Sequence, residues 1–298
     1  MNKTSERTNA LFAVGIVSIL WGTTWMASKL AVLSMPAVQV SGMRHLIGGG
    51  LYVSYFSYKR FPLPTKEQFI RIFWVSLIMF VLCNGFSVLS VVYIPTGLAA
   101  VLGAMAPLWV ALLGLLIFRD TTLSRITITG LLIGFGGVLI TFYDYIGQLT
   151  NNNFTLGVIY GVIASITWAL GTLLTVRDSK KLDPYFSMGW QMFLSGIMLT
   201  IFSFITNQHV PINTIDIGGW LSLAYLIIVG SVIAFMAFIY ALKRLPAAQV
   251  AIHSYINPLV AIIIGDLIMN EGLTVYLIIG TLVTLSGVYL VNKGFKKV

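Results

Sequence analysis

Trp21, Thr24, Trp25 and Ser28 recur at i, i+3, i+4 and i+7 inside an apolar run, the spacing that gathers four side chains on one face of a helix. Two indoles beside two hydroxyls make an amphipathic wall: flat apolar area for a small organic solute, with donors and acceptors to orient it. A second run repeats the arrangement with Trp168, Thr172 and Thr175. The alternative role for both stripes is packing, with hydroxyls bonding between helices and the indoles anchoring at an interface. Trp21 and Trp168 fall near the middle of their runs, which speaks against the anchor.

Further polar groups stand alone in apolar surroundings. Arg44 lies about eight residues into its run, where a guanidinium either pairs with helix-end carbonyls or a carboxylate, or attracts an anionic group of a substrate. Asn84 is a lone amide, suited to joining helices. Pro107 and Pro258 each sit deep in a run, remove an i to i−4 hydrogen bond and predict a kink, with freed carbonyls near Gly103 and Ser254. The second proline is surrounded by His253, Ser254, Tyr255 and Asn257, the first by Gly103, Ala104, Met105 and Ala106. The second half of the chain is therefore expected to supply more hydrogen bonds to a solute, unless Asn257 merely repairs the backbone.

Covalent and metal chemistry have no such support. There is no Gly-Lys-Ser/Thr phosphate loop, and His45, His209 and His253 lack paired metal-ligand spacing. The single cysteine, Cys83, lies in an apolar run as a small core residue. A membrane-embedded enzyme acting on lipid head groups would need a cluster of His or carboxylates at one interface, and none is visible. No cofactor and no metal are expected. His45 adjoins Arg44 but faces another side of its helix. Lys29, near the end of the first run, is expected to snorkel to the interface. Asp266 is the deepest carboxylate; it could take part in proton coupling, or bond plainly to Lys29 or water. With only Asp144, Asp216 and Glu271 besides it away from the basic loops, and Asp120 on the basic side beside Arg119, a sodium site built on several acidic side chains is not expected, although backbone carbonyls could still hold an ion.

These side chains must be positioned by something that is not a soluble domain. Of 298 residues, 58% are apolar and 9% charged, and mean hydropathy is +0.93. A soluble domain carries about a quarter charged residues, because its folded surface must be wetted. Ten apolar runs, over 10–32, 37–58, 69–92, 97–118, 126–143, 156–176, 185–205, 218–240, 248–268 and 273–292, each approach the roughly 20 residues that cross a bilayer. Lipid solvates no backbone polar group, so unbroken runs of this length are read as helices. The fold class is all-α, a polytopic membrane protein of ten transmembrane helices. The polar start (Asn2, Lys3, Arg7) leads into a full-length run, too long for a cleavable signal.

Charge sets the orientation. Lys3, Arg7, Lys59, Arg60, Lys66, Arg71, Arg119, Arg125, Arg177, Lys180, Lys181, Lys243, Arg244, Lys293, Lys296 and Lys297 all fall on one side of a ten-span arrangement. By the positive-inside rule both termini are then cytoplasmic. The net charge of +9 is accounted for this way, and no nucleic-acid partner is implied.

The halves also match. A shift of 147 puts Ser18-Ile19-x-Trp21 on Ser165-Ile166-x-Trp168 and Arg44 on Gln191. A shift of 151 puts Pro95 on Pro246, Pro107-Leu108 on Pro258-Leu259, Gly114 on Gly265 and Asp120 on Glu271. A shift of 150 puts Gly130 on Gly280 and Gly137-Val138 on Gly287-Val288. Five helices per half is an odd number, so the second half enters the bilayer from the opposite side. Inverted repeats of this kind place a binding site near the midplane, between halves that rock. Residues 1–150 form the first repeat and 151–298 the second.

The pattern resembles the EamA-type transporters of the drug/metabolite transporter superfamily. Its carriers are Trp21-Gly22-Thr23-Thr24, Pro36 before Arg44, Pro95-x-Gly97-x-Ala99-Ala100 leading to Pro107-Leu108, Pro246-Ala247-Ala248, Pro258-Leu259, and Glu271 before Gly280 and Gly287. The resemblance implies two inverted five-helix repeats and export or exchange of small metabolites, often amino acids or their derivatives, across the inner membrane. The expected function is a secondary transporter, with a passive channel or a lipid-modifying membrane enzyme as alternatives. Trp21, Thr24, Trp25, Ser28, Arg44, Asn84, Trp168, Thr172, Gln191, His253, Ser254 and Asn257 are the candidate substrate-binding residues. A small molecule and membrane lipid are the expected partners, with protons a candidate coupling ion. No dimerisation signature is present, which leaves the oligomeric state open.

Overall fold

The computed structural model describes residues 3–118, 124–178, 183–245, 250 and 253–295. Arg119, Asp120, Lys180, Lys181, Pro246, Ala247, Ala248, Lys296 and Lys297, and the side chains of Lys3 and Arg177, lie outside the described residues. Regular structure among the described residues is helical: α1 Lys3–Ala31, α2 Ala37–Tyr58, α3 Lys66–Tyr93, α4 Thr96–Leu116, α5 Arg125–Thr141, α6 Asn152–Asp178, α7 Pro184–Ile205, α8 Ile217–Leu242, α9 His253–Met269 and α10 Val275–Phe295.

Local chemistry sets the helix ends. Thr65 and Gln68 form a reciprocal capping box before α3, Ser124 caps α5, Asp183 caps α7 ahead of Pro184, and Asp216 caps α8. Each satisfies backbone amides that the first turn leaves without partners. Arg60, Asn207 and Asn270 stop α2, α7 and α9 with positive φ, the left-handed turn that closes a helix.

Among the described residues seven helices are long and apolar enough to cross a membrane, and an eighth if α5 and the 3-10 turn Tyr143–Thr150, bent by 66°, count as one span. The expected ten are thus met in part. α2 has the length but carries Gln39, Gly42, Arg44, His45, Gly48 and Gly49 buried against protein rather than lipid. α9 is described only from His253 and spans 17 residues. Large apolar side chains such as Phe12, Leu132, Leu139, Ile205 and Leu267 point outward, which in a membrane meets hydrocarbon rather than water. The chain is a multi-pass, all-helical membrane protein.

Two antiparallel helix pairs form the frame. α2 packs on α7, with Gly42 against Thr200, Gly49 against Phe193, Leu46 against Gly196 and Tyr52 against Gly189. α5 packs on α10, with Gly130 against Gly287 and Val291, and Gly137 against Gly280 and Thr284. Any side chain at Gly49 or Gly196 would meet the backbone of the facing helix, and such close approach is what small residues supply where lipid gives no hydrophobic drive to association. The triplet Gly48-Gly49-Gly50 is a helix-packing element.

α3 and α8 are both interrupted by π-helical turns, at Ser76–Leu82 and Leu226–Ile233. Such turns loosen the backbone ladder and often sit beside functional sites. The two ends of the bundle are distinct. One gathers the start of α1 with the end of α8, through Ala10, Val14, Ala241 and Leu245, together with Arg71, Lys243 and Arg244. The other gathers Lys29, Ser34, Val91, Thr96, Gly219 and Glu271. The first is called the basic face and the second the opposite face.

Candidate functional site

A chamber of about 150 Å³ lies among α1, α2, α3, α4, α6, α8 and α9. Ten of the sequence-selected residues line it: Trp21, Thr24, Trp25, Ser28, Arg44, Asn84, Trp168, His253, Ser254 and Asn257. The indoles of Trp21 and Trp168 meet edge to face with centroids 6.2 Å apart, so one tryptophan from each stripe reaches the same wall, while Thr175 lines a neighbouring cavity.

Several of these side chains also hold the scaffold. Trp21 Nε1 donates to the Gly230 carbonyl at 3.2 Å, Arg44 Nε donates to Ser231 Oγ at 2.9 Å, and the Tyr52 hydroxyl donates to the Val232 carbonyl at 2.9 Å. Three donors from α1 and α2 thus grip the π-turn of α8. Asn84 Nδ2 donates to the Met79 carbonyl at 3.0 Å, serving the π-turn of α3 in the same way. Thr24 Oγ1 donates to the Trp21 carbonyl at 2.6 Å.

Charge and unspent polarity mark the chamber. Arg44 is 6% exposed, and among the described residues no carboxylate lines the chamber to balance it. A buried guanidinium bonded through Nε alone keeps the rest of its fork for another partner. Asn257 Oδ1, His253 Nδ1 and Ser165 Oγ are buried in the same walls with no hydrogen-bond partner among the described residues.

Other expectations need correction. Thr172 does not reach the chamber: its hydroxyl donates to the Trp168 carbonyl of its own helix at 2.8 Å, the usual outlet for a mid-helix threonine. Gln191 donates to Ser187 Oγ at 2.9 Å and lines a neighbouring cavity instead. Pro107 does mark a break, but the break is a tight turn at Met105, and the proline sits in the first turn of the helix that follows, where its missing N–H costs nothing. Trp25 packs against Gly103 beside this break. Pro258 lies within an uninterrupted α9, and Asn257 Oδ1 makes no repair there. Lys29 Nζ donates to the Val91 carbonyl at 2.6 Å, near the end of α3. Asp266 accepts from the Gly272 amide at 3.2 Å rather than meeting Lys29. Glu271 caps α4 across 175 residues of sequence, accepting from the Thr96 amide at 2.8 and 2.9 Å and the Thr96 hydroxyl at 2.8 Å. His45 is buried between Ser195 and the Phe80 ring.

The sequence reading missed Ser87, Ser165, Cys83 and Phe235, all of which line the chamber. Ser87 lies three residues after Asn84 and Ser165 three before Trp168, so helical spacing from residues already selected would have found both. Cys83 and Phe235 carry no such signal.

Comparison with known proteins agrees with this architecture. The model of the EamA-like transporter family matches twice, over residues 8–143 and 155–293. The chain belongs to the EamA-like transporter family. As a family member it resembles YedA of Escherichia coli K12, an uncharacterized inner membrane transporter, with 28% identity over 89% of this chain and 83% of that one. YvbV of Bacillus subtilis, an uncharacterized transporter, is 24% identical over 97% of this chain and 93% of its own. A WAT1-related chloroplastic protein of Arabidopsis thaliana is 28% identical over 91% of this chain and 66% of its own. A crystal structure aligns with a TM-score of 0.67 at 15% identity, over 95% of this chain and 96% of that one, which shows a common fold. The two family matches leave only the segment around 144–154 between them.

Proposed function

We propose that the chain is a secondary transporter that exports a small organic metabolite, an amino acid or related amphipathic compound, across the inner membrane by alternating access. The observation that carries this reading is the chamber: indoles and hydroxyls from both halves around an uncompensated Arg44. Arg44 suits a carboxylate, the unpartnered Asn257 oxygen suits an ammonium or hydroxyl donor, and the indoles suit an apolar side group. YedA, named as an inner membrane transporter, supports the location.

Reciprocal packing supports the inverted repeat. Gly49 meets Phe193 while Leu46 meets Gly196, and a shift of 147 exchanges one contact for the other. Gly137 meets Gly280 while Gly130 meets Gly287, and a shift of 150 exchanges these. Each exchange joins antiparallel helices, so the relating axis crosses them and lies in the bilayer plane. Ten spans, a first repeat over 1–150 and a second over 151–298 follow on this reading, with the basic face and both termini cytoplasmic. Two structurally similar halves that exchange roles provide the two states that alternating access needs.

The test is flux. Purified protein in proteoliposomes, screened for counterflow of labelled amino acids and related metabolites at two pH values, is expected to give saturable, trans-stimulated transport. Replacing Trp21, Trp168 and Asn257 together with alanine is expected to abolish it. Equal flux in wild type and triple variant removes this site, and non-saturable flux makes the protein a channel.

A further inference from the structure

A second cavity, of about 140 Å³, opens among α3, α6, α7 and α8 near the basic face, lined by Arg71, Pro184 and Leu242 at one end and by Phe80, Gln191 and Phe235 at the other. Phe235 lines this cavity and the central chamber alike. Its ring packs edge to face on Trp21, with centroids 5.0 Å apart, and lies 5.9 Å from Phe80. An aromatic partition therefore stands between the two spaces.

The relation between the cavities is not accidental. Shifts of 147 for α1 and α2, and of 151 for α3, carry Ser28, Arg44, Asn84 and Ser87 onto Thr175, Gln191, Phe235 and Phe238. The first four line the chamber, and the second four line the other cavity. The 151 register is fixed by packing: Gly230 rests on Thr24, and its counterpart Met79 rests on Gly171, the counterpart of Thr24. These positions of the two spaces thus correspond under the repeat, although each space draws residues from both halves, and Gln191 lines the second cavity where Arg44 lines the chamber. They differ in character. Where the first half has Asn84 and Ser87, the second has Phe235 and Phe238.

We propose that the second cavity is the passage from the basic face to the chamber, and that Phe235 is the gate that closes it. This rests on the transporter reading, since a passage serves nothing otherwise. Across the chamber, Lys29 on the Val91 carbonyl and Glu271 on the Thr96 amide hold both sides of the turn joining α3 to α4 by polar bonds. The basic-face closure is apolar and needs only a ring rotation or a small shift of α8, whose π-turn ends at Ile233, two residues before Phe235.

Cys83, the sole cysteine, lines the chamber and reports access to it. A membrane-impermeant cationic methanethiosulfonate is applied to one face of oriented vesicles holding the full chain, and Cys83 modification is timed. Phe235→Ala is expected to speed labelling from the basic face about tenfold or more, equivalent to lowering an opening cost by about 1.4 kcal/mol, and to leave labelling from the opposite face unchanged. Phe235→Trp is expected to slow it. Should Phe235→Ala unfold and label from both faces, Phe235→Leu carries the test with a smaller, one-sided rise. An unchanged rate from the basic face, or an equal rise from both faces in Phe235→Leu, overturns the gate. The readout needs no substrate: saturable flux with unaltered labelling removes the gate and keeps the transporter, whereas one-sided labelling without flux of any compound does the reverse.

Discussion

Replacing Gly49 with alanine puts one methyl group where the α2–α7 crossing has no room. The new Cβ would stand 2.6 Å from Phe193 Cα and 2.7 Å from the Met192 carbonyl carbon. Carbon pairs prefer about 3.5–4.0 Å, so the helices must separate by about 1 Å, and a gap of that order forfeits about a quarter to a half of each contact along the seam. Backbone atoms cannot rotate away, so the overpacking cost of about 1–3 kcal/mol applies in full. At about 2 °C per kcal/mol for a chain of this size, Tm is expected to fall by about 2–6 °C. Gly196→Ala, against His45 and Leu46, is expected to cost the same if the halves are equivalent. Gly15→Ala and Gly136→Ala have nothing within 4 Å and are expected to be neutral or to gain up to about 1 kcal/mol from helix propensity. Thermal unfolding in detergent, followed by loss of helical circular dichroism, measures all four. A Gly49→Ala protein as stable as wild type, or a Gly136→Ala protein as damaged as Gly49→Ala, refutes the packing argument.

Arg44→Gln removes the one guanidinium in the chamber. In wild type a carboxylate substrate is expected to outcompete its carboxamide by about 10–150-fold, the ratio given by a charge-assisted hydrogen bond of about 1.5–3 kcal/mol, and the variant is expected to lose that preference; competition counterflow with paired acids and amides decides, and a preference that survives excludes Arg44 from recognition. Asp216 caps α8 on the opposite face, and the Gly219 amide, with the Ser34 hydroxyl, holds its carboxyl below the ordinary carboxylate range. Its folded-state value lies below the unfolded one, so its stabilisation is complete above the unfolded value and fades as pH falls through the folded one. Asp216→Asn is therefore expected to flatten the acid limb of Tm against pH, and an unchanged acid slope means that the cap carries no linkage.

The chamber is economical in its use of side chains. Trp21 and Arg44 each bond to the π-turn of α8 while presenting the rest of the side chain to the chamber. A substrate that engages Arg44 or Trp21 therefore acts on groups that also hold α8 in place. Differential contact of this sort is what lets a ligand shift a conformational equilibrium.

Local sequence determined the class of molecule, most helix limits and the two indole stripes, because apolar run length and 3.6-residue periodicity are properties of a single segment. It also contained the ordered matches of Trp, Pro and Gly between the first and second halves of the chain. Tertiary structure alone decided which polar groups were left over. Thr172 spends its hydroxyl on its own backbone, Gln191 turns to Ser187, Lys29 finds Val91 and Glu271 finds Thr96. Each of these outcomes depends on which neighbour stands within hydrogen-bond reach, and that is fixed by helix packing rather than by spacing along the chain. The same holds for Phe235, an unremarkable residue in an apolar run until the folded bundle sets it between two cavities.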